Sequence, residues 1–157
     1  MRRVTSEVAL ALGVQLPLGI ALGLVWAYLA PRPPAFWVNG LWAAESDLGF
    51  RAASDAWFAV LGAGAGLVVG LYLALRAAQD KPVVRLIWWL VGAMLGSAVA
   101  FLTGLLATGS MGVATEVGLE VSAAPLNLSS LGAALAWPVL AMAVTAMATA
   151  LHALFSP

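Results

Sequence analysis

The chain has 157 residues, 63% of them apolar and 9% charged, with seven basic and seven acidic side chains and no cysteine. A globular domain carries roughly 25% charged residues, so this composition points to a membrane protein, and the zero formal net charge gives no footprint for a nucleic-acid partner. Without cysteine there is no disulfide, thiolate nucleophile, iron–sulfur cluster or cysteine zinc site, and the redox compartment is left open.

Four charge-poor stretches are long enough to cross a bilayer core, which takes about 20 apolar helical residues. They predict spans at roughly 8–30, 56–76, 84–108 and 131–155 within a single membrane domain, residues 1–157. The first follows Arg2 and Arg3 in the manner of a signal peptide. Its apolar run exceeds the usual stretch of about 7–15 residues, and no small-x-small cleavage site follows, so it is expected to be retained. Pro17 interrupts it and removes a backbone donor. Gln15, two residues earlier, is expected to satisfy a carbonyl freed by that proline.

The first outer connection, residues 31–55, holds "AFWVNGLWAAE". Asn39-Gly40 between two aromatic-rich runs is the strongest short-range hairpin signal, and strands are expected near 35–38 and 41–44. The following "ESDLGFRAASDAWF" reads as a helix running into the second span, capped by Ser46 or Asp47. Arg51 and Asp55 form an i,i+4 pair there. Asp55 is the last charge before lipid, and an acid at that depth is expected to find a partner in Arg51, Arg32 or a loop amide. Trp57 and Phe58 are expected to anchor the same turn at the interface, with Trp26 beside them and Trp88 and Trp89 at the opposite one.

"SDAWFAVLGAGAGLVVG" raises the question of a phosphate-binding loop. A dinucleotide fingerprint needs G-x-G-x-x-G between strand and helix, and starting from Gly62 or Gly64 the sixth position is Leu67 or Val69. The glycines instead suit helix packing. Gly62, Gly66 and Gly70 recur every four residues along one helix face. Gly19 and Gly23 do so in the first span, and Gly92, Gly96 and Gly104 in the third. Ala141, Thr145 and Thr149 form the corresponding row in the fourth, which Pro138 interrupts. Small residues let membrane helices approach closely, and close approach supplies their association energy.

The inner loop "RAAQDKPVVR" and the N-terminus carry five of the seven basic residues. By the basic bias of short loops, both termini are cytoplasmic. The second outer connection, residues 109–130, contains the alternating "GVATEVGLEVSA", expected to add a third strand, since three strands are more stable than a lone hairpin. The expected fold is therefore all-α membrane: a four-transmembrane-helix bundle with a small extracytoplasmic β-hairpin cap.

Candidate chemistry is sparse. Glu45, Asp47, Asp55, Glu116 and Glu120 share the outer side, where carboxylates can bind a hard cation or act as acid and base, but no ligand motif orders them and solvation accounts for them. His152 is the only histidine, which excludes bis-histidine haem ligation within one chain. The charge-free cores contain no Asp, Glu, Lys or Arg of the kind that proton relays and ion-coupled carriers place there. No catalytic, metal or cofactor residue is assigned.

"LGIALGLVWAYLAP", the hairpin, "ASDAWFAVLGAGAGLVVG", the short basic loop and "LVGAMLGSAVAFLTG" together resemble a family of small actinobacterial four-helix membrane proteins carrying a domain of unknown function. The similarity spans roughly residues 13–155, with Asp55, Trp57, Phe58, Gly62 and Gly66 its most specific part. The resemblance implies a bacterial inner-membrane protein and no assigned activity. The halves 8–76 and 84–155 also share one order of span, β-prone loop and returning span, as an internal repeat would.

Three functions fit these features. The first is a non-enzymatic accessory or structural subunit that meets the lipid bilayer and an integral membrane partner, or another copy of itself, through glycine-rich faces and the outer cap. The second is an oligomeric transport component using Gln15, Ser97, Thr103 and Thr145. The third is a membrane enzyme using the outer carboxylates.

Overall fold

The structure is a computed structural model that describes residues 2–38, 41–44, 48–76, 82–109, 114–116, 119–123, 126 and 128–155. It contains four long helices: α1 (Arg2–Leu29), α2 (Leu48–Arg76), α3 (Pro82–Gly109) and α4 (Leu131–Phe155). Each is long and apolar enough to cross a membrane, and only between 22% and 39% of each apolar window is buried in the protein. Val60, Leu67, Val68, Leu71 and Leu75 of α2 all face outward. A bilayer solvates such side chains, so they need no protein partner.

Helix α2 begins at Leu48, eight residues before the apolar span, because the amphipathic stretch continues into it without a break. Ser46, Asp47, Asn39 and Gly40, expected as cap and turn, lie outside the described residues, as do Gln79 and the side chain of His152.

Between the helices lie four short strands: β1 (Pro34–Val38), β2 (Leu41–Ala44), β3 (Ala114–Glu116) and β4 (Leu119–Ala123). They form one antiparallel sheet in the order β2-β1-β4-β3. Trp37 opposes Trp42 in the first ladder, and Phe36 opposes Val121 where the two interhelical connections join. The alternating run at 112–123, read from sequence as one strand, is two, because the register pairing Thr115 with Glu120 and Glu116 with Leu119 folds it back on itself.

The helices pack as two parallel pairs, α1 with α3 and α2 with α4, rather than as sequential hairpins. Glycine sets both seams. A Cβ placed on Gly19 would collide with the carbonyl of Gly96, and one on Gly23 with the carbonyl of Ala100. On the other seam a Cβ on Gly66 would collide with the carbonyl of Trp137, and one on Gly70 would lie 2.8 Å from that of Ala141. In both seams contact positions advance together along the two helices, so the pairs run parallel. Gly62 differs: its nearest neighbour would lie at 3.4 Å, ordinary van der Waals contact, so α2 and α4 separate slightly toward that end.

Trp137 joins the two pairs. Its backbone meets Gly66 on α2 while its ring reaches Gly96 on α3, 2.9 Å from where a Cβ would sit. It is 1% exposed and packs with Ala65, Ala93, Leu18 and Leu22.

Candidate functional site

At the sheet-bearing end, α2, α3 and α4 converge on the short segment before α4. Asp55 accepts hydrogen bonds from the backbone N–H of Ser129 at 3.1 Å and from its hydroxyl at 2.5 Å. The carboxylate thus sits beside the N-terminus of α4, where exposed N–H groups and the helix dipole favour negative charge. Of the three partners expected for Asp55, the loop amide is found. Arg51 is exposed and forms no ion pair with it, because a carboxylate held by Ser129 is directed across the bundle and not along its own helix. On the other side of the segment, the Leu126 N–H donates to the Thr108 hydroxyl, which itself donates to the carbonyl of Gly104.

Trp26 and Phe58 turn inward, into the bundle. Trp26 is fully buried, donates its indole N–H to the carbonyl of Ser54 at 2.9 Å, and meets the Phe58 ring edge-on at 4.9 Å. Gly104 makes room for that indole, since a Cβ there would strike it. Trp57, one residue before Phe58 and so about 100° around the helix, stays 39% exposed. Sequence spacing alone gives both aromatics the same depth, and only packing turns one inward.

Beside this clamp, between α3 and α4, a groove of ≈ 490 Å³ opens to the side of the bundle. Met94, Ser97 and Phe101 form one wall, Leu135 and Pro138 the other, and Ser129 closes the end. Ser97 donates to the carbonyl of Ala134 at 2.6 Å across it.

The opposite end carries a charged cluster. Arg85 bonds one oxygen of Glu7 through Nε at 3.1 Å and Nη2 at 2.9 Å, and its Nη1 donates to the carbonyl of Arg76 at 3.1 Å. Arg76 stands over the Tyr72 ring, 5.5 Å from its centre, and Tyr72 packs on Trp89 with centroids 4.7 Å apart. Trp89 is 3% exposed and packs into the core at this charged end. Its backbone carbonyl accepts the Gln15 side-chain amide at 2.7 Å.

Gln15 therefore binds α3 instead of repairing its own helix at Pro17. The carbonyl that Pro17 deprives of a donor belongs to Gly13, which faces outward, whereas Gln15 is fully buried two residues round the helix. Its Oε1 has no hydrogen-bond partner, and neither does the indole nitrogen of Trp137.

The other polar residues considered for a transport path are also engaged at helix contacts. Thr145 donates to the carbonyl of Ala141 at 2.8 Å and reaches that of Gly70 at 3.3 Å. The Thr103 Cβ would lie 2.8 Å from a Cβ on Gly23. Of the outer carboxylates, Glu116 and Glu120 lie on β3 and β4, while Glu45 and Asp47 are outside the described residues. Among the described residues, no three His, Cys, Asp or Glu side chains converge on a point that would hold a metal.

Sequence reasoning missed Thr108 and Ser129, and took Ser97 only as a polar candidate for a transport path. For Ser97 a partial signal existed: Pro138 announces a donor-less carbonyl at Ala134. Nothing in the sequence says which helix supplies the missing donor.

No protein-family model matches the chain, and no curated protein or solved structure is found similar to it.

Proposed function

We propose that this multi-pass membrane protein is a non-enzymatic accessory subunit of a larger assembly, and that the α3–α4 groove receives side chains of a transmembrane helix from an integral membrane partner. The single observation carrying this reading is the lateral groove. The two glycine seams close the α1–α3 and α2–α4 contacts, whereas α3 and α4 meet at Ser97–Ala134 and Gly96–Trp137 and leave the groove open beside these contacts, next to a segment fixed by Asp55 and Thr108. Its volume admits a few apolar side chains, as a crossing helix presents them, and Met94 on its wall adapts readily to different neighbours. In this reading the protein lies in a bacterial inner membrane with both termini cytoplasmic, and the sheet forms an extracytoplasmic cap beside the partner.

The transport alternative finds less support, because Gln15, Ser97 and Thr145 already donate to backbone carbonyls.

Purification in mild detergent tests the proposal. Ala98, exposed beside the groove, is replaced by tryptophan, and Val60, exposed on α2, serves as control. Ala98→Trp is expected to lose a stoichiometric partner while Val60→Trp retains it. Absence of any membrane-protein partner, or equal recovery by both variants, overturns the reading.

A further inference from the structure

The chain is neutral as a whole but polarised along the bundle. Arg2, Arg3, Arg76, Lys81 and Arg85 belong to the sequence around the end opposite the sheet, with only Glu7 and Asp80 against them, a net of +3. The sequence around the sheet-bearing end has Arg32 and Arg51 against Glu45, Asp47, Asp55, Glu116 and Glu120, a net of −3.

At the basic end two arginines are held in place rather than left to sample solvent. Arg85 is braced by the Glu7 carboxylate and the last carbonyl of α2, with its side chain 13% exposed. Arg76 is exposed and rests over Tyr72, which is itself fixed against Trp89. A cation on an aromatic face retains its charge while losing rotamer freedom, so less entropy remains to be lost when an anion binds. Because α1 and α3 run parallel, their N-termini lie at this same end, and neither has an acidic residue in its first turn. Their positive dipole ends therefore reinforce the potential of the arginines.

We propose that this cluster, with Arg76 as its outward contact and Arg85 behind it, binds the phosphate of an anionic phospholipid headgroup at the membrane surface. The charge is complementary, and basic residues at helix ends near the surface recognise such lipids. A lipid is favoured over a free anion because the cluster caps apolar spans: Arg76 ends α2 at the boundary of its candidate span, where a headgroup phosphate lies. The inference is independent of the groove and of any protein partner.

The test reconstitutes the full chain in phosphatidylcholine nanodiscs with and without phosphatidylglycerol, reading thermal melting and the lipid retained in native mass spectrometry. Phosphatidylglycerol is expected to raise the melting temperature and to be enriched on the protein. Arg76→Gln is expected to retain it roughly fivefold less well, while Arg51→Gln, an equal charge change at the other end, leaves retention as it was. No enrichment in the unmodified protein, or equal loss in both variants, overturns the proposal. So does inorganic phosphate in neutral detergent reproducing the whole melting shift, which assigns the site to a free anion.

Discussion

Ser97 donates its hydroxyl hydrogen to the carbonyl of Ala134 at 2.6 Å, and Ala134 is the residue whose carbonyl Pro138 leaves without an intrahelical donor. A side chain from α3 thus replaces a hydrogen bond that α4 cannot make for itself. In hydrocarbon no water can stand in for it, so the pairing couples the proline to the neighbouring helix. Ser97→Ala is expected to destabilise the bundle by about 0.6 kcal/mol, the average for interhelical side-chain bonds in membranes, and by no more than about 1.7 kcal/mol. Pro138→Ala restores the backbone donor, and in that background Ser97→Ala should cost distinctly less. Denaturation in mixed micelles, run as a double-mutant cycle, measures the difference; additive costs would separate the two residues.

The glycine seam between α2 and α4 should discriminate between neighbouring glycines. Gly66 has no room for a Cβ against the carbonyl of Trp137, whereas Gly64 has nothing within 4 Å. Gly66→Leu should lose about 1–3 kcal/mol or more through forced separation of the helices. Gly64→Leu should stay within about 0.5 kcal/mol, as outward-facing substitutions do. Melting in detergent reads both, and equal tolerance would remove the seam's structural role.

Asp55 holds the segment before α4 through both the amide and hydroxyl of Ser129. Asp55→Asn keeps the side chain's size but removes the charge that strengthens both bonds. Bonds to a charged group contribute roughly 1.5–3 kcal/mol, and a neutral amide recovers part of this. The expected outcome is faster proteolysis around residues 126–130 with all four helices still inserted. Unchanged protection would make Asp55 dispensable to the clamp.

Gln15 makes one bond, to the Trp89 carbonyl, and buries one unpartnered oxygen. Removing both together should nearly cancel, since an unsatisfied buried acceptor carries its own penalty. Gln15→Met, of similar length, is expected within about 1 kcal/mol of the parent, and Gln15→Ala to lose about 2 kcal/mol through the cavity beside Gly92. Thermal melting of the two variants distinguishes packing from polarity.

With the basic end in the cytoplasm, cysteines at Gln79 and Asn39 should label from opposite sides of sealed cells. Labelling of Gln79 from outside would invert the topology.

Four membrane-length helices follow from composition alone, because the bilayer demands long uncharged runs and the chain supplies them at residues 8–31, 56–75, 86–115 and 121–151. The glycine rows were legible too, since a spacing of four places residues on one face whatever that face meets. Which faces meet was not legible. Gly19 fits Gly96 and Gly66 fits Trp137 only because α1 pairs with α3 and α2 with α4, skipping the sequence neighbours. Hydrophobic pattern carries no information on that choice when lipid and helix are equally apolar. The same limit hid the polar partners. An orphan carbonyl at Ala134 and a deep carboxylate at Asp55 could be anticipated from sequence, but their partners Ser97 and Ser129 lie 37 and 74 residues away along the chain. Local chemistry stated the need for a partner, and only the tertiary packing of helices determined which residue met it.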